Sequence, residues 1–201
     1  KKVMDAATNL KMISRVGIGM DSVDLLEAEK REIVVSYTPD APAPAVVELT
    51  MGLILTLLRS VQLSNMEMHN GKWHRFFGRR LSEVTIGIIG IGRIGTGVLQ
   101  CLQGFGSPKI LVNDISYDKN VDKKFNIEWS DKETIYQRAD VITIHTPLTT
   151  QTRDMIKKEQ LLSMKEDAII INTARGGIIN EQDLYEVMQD GHLSGAAIDV
   201  F

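Results

Sequence analysis

A glycine-rich segment gives the clearest prediction of chemistry in this sequence. Gly90, Gly92 and Gly95 have the spacing Gly-x-Gly-x-x-Gly, and they directly follow residues 84–89, which are mostly apolar and β-branched. This order predicts a strand, a sharp turn and then a helix, in which the glycines allow the turn, the approach of a pyrophosphate and close helix packing. Because the first N–H groups of a helix have no intrahelical partner, the segment predicts a site for the diphosphate of a dinucleotide.

An acidic residue stands where the ribose of such a dinucleotide would be bound. Asp114 ends the stretch 109–114, in which residues 110–112 are apolar, and no Arg or Lys stands at positions 115–117. A carboxylate there accepts hydrogen bonds from ribose hydroxyls and repels a 2′-phosphate, since two unit charges about 4 Å apart interact by roughly 4 kcal/mol at an effective dielectric constant near 20. We therefore predict NAD rather than NADP as the cofactor, with a turn-capping role for Asp114 as the alternative.

The composition narrows the classes of function. The 201 residues carry a net charge of −3, with 43% apolar and 24% charged residues, which is ordinary for a globular protein and gives no reason to expect nucleic acid as a partner. The lone Cys101 excludes an intramolecular disulfide, and its place in the apolar pattern 98–102 predicts burial. The four histidines lack metal-ligand spacing and the apolar stretch 49–58 is too short to span a bilayer, so we expect no metal, no membrane contact and a cytoplasmic location.

Alternating strands and helices must position these residues. Such alternation predicts an α/β fold with a doubly wound parallel sheet, which binds its ligands at the carboxyl ends of the strands. The predicted strands are 85–89, 109–113, 141–145, 168–172 and 195–199, and the predicted helices lie near 94–103, 131–138, 158–163 and 181–189.

The first 39 residues predict a separate and smaller α/β unit. The proline-rich stretch 37–44 predicts a linker, and a long helix is expected from about 45 to 69. We therefore predict a partial second domain at 1–39 and a dinucleotide-binding domain at 40–201. The predicted elements of the small unit are a strand at 11–16, a helix near 22–31 and a strand at 33–36.

Several segments at the predicted strand ends carry a recognisable order of residues. They read Gly-Ile-Ile-Gly-Ile-Gly-Arg-Ile-Gly (87–95), His-Thr-Pro-Leu-Thr (145–149), Asn-Thr-Ala-Arg-Gly-Gly (172–177) and Ala-Ile-Asp-Val-Phe (197–201), with Arg-Val-Gly-Ile-Gly (15–19) upstream. With these segments the chain resembles the D-isomer-specific 2-hydroxyacid dehydrogenases, in the form found in phosphoglycerate dehydrogenases. The resemblance implies a Rossmann-like NAD-binding domain with a partial substrate domain. It also implies hydride transfer between NAD and a small D-2-hydroxy acid, with a 3-phosphoglycerate-like acid slightly favoured.

The resemblance implies a role for each matching position. Arg175 is the implied catalytic residue, because a guanidinium can hold the carboxylate and the 2-oxo group of the substrate at two points; a surface salt bridge is the alternative. The backbone of Ile18 and Gly19 is implied to bind the substrate carboxylate, and Arg15 either adds a charge for the substrate or makes a structural salt bridge. The implied cofactor contacts are the backbone N–H groups of Arg93 and Ile94, the adenosine-side residues His145, Thr146 and Pro147, and the nicotinamide-side residues Thr173, Ala174, Arg175 and Asp199.

Two of these positions keep an alternative from their chemistry alone. A lining role is favoured over catalysis for His145, and a strand cap is the alternative for Asp199. The family also places a glutamate and a histidine after the Asp-Val-Phe segment to supply the proton for hydride transfer, and these 201 residues do not include that pair.

The resemblance sets expectations for the whole polypeptide. We expect a dinucleotide-binding domain that is incomplete at its C-terminus. By itself, this polypeptide should bind NAD but show negligible turnover. The resemblance implies a homodimer formed through the helix that begins near Ala45. The alternative function is an NAD(H)-sensing binding module similar to the corepressors that share this fold.

Overall fold

The computed structural model describes residues 2–201, which form two compact units. The chain divides after Val46, and the second unit is Val47–Phe201. The division falls inside a helix, whereas the sequence analysis places a domain boundary between residues 39 and 40. The assignment of the first unit to a substrate domain stays a prediction.

The first unit is a small β-α-β fold. Its two strands pair in parallel, and Asp24 caps the intervening helix by accepting a hydrogen bond from the N–H of Glu27 at 3.0 Å. The core of this unit is formed by the buried Met4, Ala28 and Ile33. Its elements are α1 (Lys2–Ala6), β1 (Met12–Arg15), α2 (Leu25–Lys30) and β2 (Val34–Tyr37).

Helix α3 (Ala43–Leu58) leads into the second unit, where strands and helices alternate. Short 3₁₀ turns lie at Leu81–Glu83 and Gln103–Phe105. The strands are β3 (Thr85–Ile89), β4 (Lys109–Asn113), β5 (Glu128–Trp129), β6 (Val141–Ile144), β7 (Ile169–Asn172) and β8 (Gly195–Ile198). The remaining helices are α4 (Val61–His69), α5 (Arg93–Leu102), α6 (Lys119–Lys124), α7 (Lys132–Arg138), α8 (Lys158–Ser163) and α9 (Glu181–Gln189).

The strands of the second unit form a parallel sheet in the order β5-β4-β3-β6-β7-β8. From β3 the chain winds outward through β4 to β5, and it then returns to the other side of β3 to build β6, β7 and β8. The predicted doubly wound sheet is confirmed. Its switch point lies between β3 and β6, and a ligand crevice is expected at the carboxyl ends of these two strands.

Burial explains why the strands of this sheet are almost continuous apolar runs. Every residue of β6 and of β7 is buried, because helices cover both faces of a parallel sheet. Successive side chains point to opposite faces, so Ile86 and Ile88 join one apolar cluster whereas Ile142 and Ile144 join the other.

The structure differs from the sequence-based expectations at three places: the helix at 45–69, the linker at 37–44 and Cys101. The helix predicted at 45–69 is broken, because Ser60 has a left-handed φ of 52° and α3 meets α4 at a bend of 65°. The linker predicted at 37–44 overlaps the start of α3, since Pro44 lies in the first turn, where its missing N–H leaves no intrahelical hydrogen bond unmade. Cys101 is exposed, because α5 buries Val98 and Leu102 on its other face.

No single helix within residues 2–201 is long and apolar enough to cross a membrane, and the bent pair α3 and α4 meets the length and hydropathy requirements only when both are taken together.

Candidate functional site

A cleft of about 530 Å³ lies at the switch point of the sheet, at the carboxyl ends of β3 and β6. Its size is within the range of small-molecule and cofactor sites. The lining residues that the sequence analysis predicts are Gly90, Gly92, Asp114, His145, Thr146 and Pro147. The lining residues that it does not predict are Ile89, Asn113, Ile115, Lys132, Thr149, Gln151, Thr152 and Met155.

The glycine-rich segment turns from β3 into α5 at one end of this cleft. Gly90 has a φ of +100°, and a Cβ there would lie 2.7 Å from the carbonyl carbon of His145. A Cβ on Gly95 would overlap the carbonyl oxygen of Gly90. A Cβ on Gly92 would meet no heavy atom of the described chain within 4 Å, so the space beside this residue is open to a ligand. Arg93 and Ile94 form the first turn of α5 directly after it.

Asp114 holds the glycine-rich segment in place. One carboxylate oxygen, Oδ2, accepts a hydrogen bond from the N–H of Ile91 at 2.7 Å, and Oδ1 accepts one from the N–H of Ser116 at 3.1 Å. The carboxylate therefore has the turn-capping role that the sequence analysis gives as an alternative, while it also lines the cleft. The two roles are compatible, because each carboxylate oxygen can accept more than one hydrogen bond.

Two buried polar atoms on the β6 side of the cleft have no hydrogen-bond partner among residues 2–201. They are Nδ1 of His145 and Oγ1 of Thr146. The other ring nitrogen of His145 lies 3.0 Å from Oγ1 of the buried Thr143, and burial lowers the pKa of His145 to about 4. The imidazole is therefore neutral at pH 7 and offers Nδ1 for one hydrogen bond. Buried polar groups are normally paired, so these atoms indicate a missing ligand.

A second cluster lies at the carboxyl ends of β7 and β8, along the same edge of the sheet. Asn172 brackets the turn that carries Arg175: its Nδ2 donates to the carbonyl oxygen of Arg175 at 2.8 Å, and its Oδ1 accepts from the N–H of Ala174 at 3.0 Å. Thr173 is buried with its hydroxyl 3.0 Å from that of Thr50 on α3. The turn is thus held by side chains on both sides.

The guanidinium of Arg175 is half-buried, and Nη1 donates to the carbonyl oxygen of Ala174 at 2.6 Å. Asp199 is exposed directly after β8, and its N–H donates to the carbonyl oxygen of Asn172 at 3.0 Å. The predicted nicotinamide-side residues therefore share one part of the sheet edge, whereas they do not line the cleft between β3 and β6.

The predicted substrate residues of the first unit lie in the loop after β1. The Nε of Arg15 donates to the carbonyl oxygen of Gly19 at 2.8 Å, and the N–H of Gly17 donates to the hydroxyl of Thr38 at 2.8 Å. Ile18 and Gly19 are half-buried in this loop. Arg15 thus orders its own loop through a hydrogen bond, rather than through the salt bridge that the sequence analysis gives as an alternative.

No group of three or more metal-ligating side chains occurs in the part of the chain that the structure describes. The residues that line the cleft supply one carboxylate, one ammonium and several neutral polar side chains.

Comparison with known proteins identifies the family to which this chain belongs. The family described as "D-isomer specific 2-hydroxyacid dehydrogenase, NAD binding domain" matches residues 51–201. The chain belongs to this dehydrogenase family. Its fold and its NAD-binding domain are therefore those of the D-2-hydroxyacid dehydrogenases, and NAD is the cofactor.

Curated relatives and solved structures agree with this assignment. The chain is 41% identical over 208 residues to the D-3-phosphoglycerate dehydrogenase of Methanocaldococcus jannaschii, which covers 100% of this chain and 39% of the relative. It is 39% identical to the hydroxypyruvate reductase of Thermotoga maritima, over 99% of this chain and 64% of the relative. The chain thus spans only part of the length of the dehydrogenases it matches.

The structural neighbours include a D-lactate dehydrogenase from Aquifex aeolicus in complex with NAD and lactic acid. Its TM-score is 0.91 at 31% sequence identity, over 100% of this chain and 61% of that chain. A D-lactate dehydrogenase with NAD⁺ from Lactobacillus jensenii has a TM-score of 0.83 at 30% identity, over 100% of this chain and 60% of that chain.

The cleft fits the cofactor of this dehydrogenase family. The open space beside Gly92 is free for a pyrophosphate, and the buried atoms of His145 and Thr146 have no partner within residues 2–201, so that a ribose or phosphate group could supply one. The Asp114 carboxylate lies in the same cleft, as a ribose-binding acid must.

Sequence reasoning misses the cleft residues that come from outside the strand ends. Lys132 begins α7, and Thr149, Thr152 and Met155 belong to the segment after β6. Thr152 donates its hydroxyl to the carbonyl oxygen of Pro147 at 2.6 Å, which folds this segment back over the cleft. The threonines of 149–152 are a turn signal, but nothing in their spacing indicates that the turn covers a cleft.

Proposed function

We propose that this chain contributes the NAD-binding domain, and at residues 1–39 part of the substrate domain, to an NAD-dependent oxidoreductase that acts on small D-2-hydroxy acids. The observation that carries the proposal is the cleft between β3 and β6, with its unpartnered buried atoms, on the same sheet edge as the Asn172-bracketed turn of Arg175. When bound, the nicotinamide of NAD supplies or accepts the hydride. The residues of this chain bind and orient the two reactants.

Arg175 is proposed to orient the acid. A guanidinium forms paired hydrogen bonds with a carboxylate and the neighbouring oxygen of a 2-oxo acid, and its charge stabilises negative charge that develops on the 2-oxygen. The bonds of Asn172 to the N–H of Ala174 and to the carbonyl oxygen of Arg175 support this role, because they fix the turn that carries the guanidinium. Asp199, Thr173 and Ala174 are proposed to contact the nicotinamide end.

A 3-phosphoglycerate-like acid is proposed as the substrate. Relatives of this chain include phosphoglycerate dehydrogenases, a glyoxylate reductase and a hydroxypyruvate reductase, so the family alone leaves the acid open. In the first unit, the loop of Ile18 and Gly19 is proposed to bind the carboxylate. Arg15 uses its Nε to donate a hydrogen bond to Gly19, and its remaining N–H groups can donate hydrogen bonds to a phosphate.

Binding to the 201-residue polypeptide tests this proposal. We expect NADH to bind, with a change in nicotinamide fluorescence, and we expect oxalate, a planar mimic of a 2-oxo acid, to bind the NADH complex. Arg175→Gln should weaken oxalate at least tenfold and NADH less than threefold, whereas Arg59→Gln, a matched change on an exposed arginine, should alter neither. Equal loss of oxalate binding in both variants would remove Arg175 from the substrate site.

The acid–base pair of the family is proposed to lie outside these residues. We therefore expect hydroxypyruvate, glyoxylate and 3-phosphohydroxypyruvate to bind the polypeptide without oxidation of NADH, followed by absorbance at 340 nm. His145 is no substitute, because an imidazole with a pKa of about 4 is almost entirely unprotonated at pH 7 and has no acidic proton to donate. Oxidation of NADH that depends on one of these acids would contradict this part of the proposal.

A homodimer in the cytoplasm is also proposed. Val61, Leu63, Met66 and Met68 on α4 are each about half exposed, which supports a second copy of this chain as their cover. Leu63→Glu should convert a dimer to a monomer in sedimentation, while the exposed Gln62→Glu should leave it intact. Self-association that requires NADH, together with no turnover in any form of the protein, would instead support the cofactor-sensing alternative.

A further inference from the structure

The cofactor cleft is lined by a lysine that makes no ion pair within residues 2–201. Lys132 is half-buried at the start of α7 and lines the cleft. It makes no ion pair with any residue in 2–201, although Asp131 and Glu133 flank it in sequence. The carboxylate of Asp131 instead caps α7, where it accepts a hydrogen bond from the N–H of Thr134 at 2.7 Å.

Hydrogen bonds place this lysine beside the end of β4. The N–H of Ser130 donates to the carbonyl oxygen of Val112 at 2.9 Å, and Nδ2 of Asn113 donates to the carbonyl oxygen of Ser130 at 2.8 Å. The chain that leads into Lys132 is therefore fixed to the strand end that carries Asp114. A lysine stem is long enough to bring its ammonium into the space that the carboxylate borders.

Asp114 and Lys132 are the charged residues among those that line the cleft. The two oxygens of the Asp114 carboxylate accept the N–H groups of Ile91 and Ser116, and the dipoles of these groups offset part of the electric field of its negative charge. Its repulsion of an added phosphate is thereby weakened, whereas the ammonium of Lys132 has no such partner in the described chain. The net effect on a dianionic group bound near Asp114 is less repulsive than a lone carboxylate would make it.

We propose that Lys132 is a specificity-determining residue, which offsets the repulsion between Asp114 and a 2′-phosphate so that this cleft binds NADPH as well as NADH. The inference rests on the proposed cofactor cleft but goes beyond it, since NAD alone does not require a cation at this position. NADH remains the tighter ligand, because the Asp114 carboxylate accepts from ribose hydroxyls that NADPH lacks at the 2′ position.

Nicotinamide fluorescence titrations of NADH and NADPH at one fixed ionic strength test this proposal. In the unaltered chain, NADPH should bind within about tenfold of NADH. Lys132→Gln should weaken NADPH by about tenfold and NADH by less than twofold, whereas Lys132→Arg, which keeps the charge, should hold the NADPH affinity within about threefold. The Lys132→Gln effect on NADPH should also shrink in high salt.

Lys109→Gln is the matched control. Lys109 is the first residue of β4, at the amino end of the strand and therefore away from the cleft at the carboxyl ends, and it pairs with Glu128 at 3.4 Å. Lys109→Gln changes the net charge by the same amount as Lys132→Gln but removes no residue from the cleft lining. Its NADH and NADPH affinities should equal those of the unaltered chain, and thermal unfolding should confirm that each variant is folded.

The possible failures are distinguishable. Absence of NADH binding to the unaltered chain would overturn the cofactor cleft itself. Normal NADH binding with a Lys132→Gln variant that loses both dinucleotides equally, or loses neither, would overturn the role of Lys132 alone. An equal loss of NADPH affinity in Lys109→Gln would also overturn it, because the effect would then come from overall charge.

Discussion

Two glycine-rich loops follow parallel strands in this chain, one after β3 and one after β1. Their glycines differ in whether the surrounding atoms leave space for a Cβ. After β3, a Cβ on Gly90 or Gly95 would collide with backbone atoms. After β1, Gly17 has a φ of +142°, yet a Cβ there would meet no described atom within 4 Å. The first loop therefore needs glycine for space, and at Gly90 also for a positive φ, whereas the second needs it for backbone conformation alone.

The surroundings of the two loops differ in the same sense. The loop after β1 meets its own polar groups, since Arg15 donates to the Gly19 carbonyl and Thr38 accepts from Gly17. The loop after β3 faces buried atoms of His145 and Thr146 that lack partners within residues 2–201. Close backbone packing beside unpaired buried polar atoms indicates a preformed ligand site at the loop after β3. The polar groups of the loop after β1 are hydrogen-bonded within the first unit, which indicates a loop that is stable without a ligand.

The largest expected effect tests the packing of the β3 loop. Gly95→Ala should destabilise the second unit by about 3 kcal/mol, because its Cβ overlaps the Gly90 carbonyl and the helix must shift. Gly92→Ala, in open space, should change the free energy of unfolding by less than about 1 kcal/mol but weaken NADH about tenfold. Urea unfolding and NADH titration measure both, and similar stability losses would contradict the comparison.

The next effect concerns the neutral His145 beside the β3 loop. Burial lowers the pKa of this ring from its ordinary 6.5 to about 4, so the unfolded chain binds a proton that the folded chain excludes between these values. Stability is therefore lost as the pH falls through 6.5, by about 2 kcal/mol between pH 7 and pH 5. His145→Gln should remove this part of the pH dependence and His74→Gln, on an exposed ring, should keep it.

A smaller effect compares the side chains that anchor the two loops. Asp114→Ala removes a charged acceptor from the N–H of Ile91, at a cost of about 2 kcal/mol. Thr38→Val removes a neutral acceptor from the N–H of Gly17, at a cost of about 1 kcal/mol. Amide hydrogen exchange at Ile91 and Gly17 reports each anchor locally. A larger loss of protection at Gly17 than at Ile91 would reverse the expected order.

The smallest effect tests the conformational glycine. Gly17→Ala should cost about 1 kcal/mol, since the positive φ is strained for alanine but no atom is displaced. The effect should be confined to the first unit, visible as faster amide exchange in β1 and β2 and as no change in NADH affinity. A stability loss as large as that of Gly95→Ala would contradict a purely conformational role for Gly17.

Prediction from the sequence succeeds where one physical signal dominates. The central strands were predictable because residues such as Ile86–Ile89 are apolar on both faces, as only a doubly covered parallel strand requires. The two-residue strand β5 was missed, because Glu128 and Trp129 carry no periodic pattern. The break at Ser60 was also missed, since a single left-handed residue leaves no mark in the apolar pattern of 45–69.

The alternation of strands and helices, the phosphate-binding order of glycines and the family could be predicted from the amino-acid sequence, because these depend on local periodicity and on the absence of a Cβ at fixed spacings. The packing of the folded chain sets which buried polar atoms lack partners within residues 2–201 and which side chains line the same cleft. Lys132 and Thr50 acquire their significance from residues distant in sequence, such as Asp114 in the same cleft as Lys132 and Thr173 beside Thr50. Contacts of this kind arise from the register of the sheet and the packing of helices on it, and no local pattern encodes them.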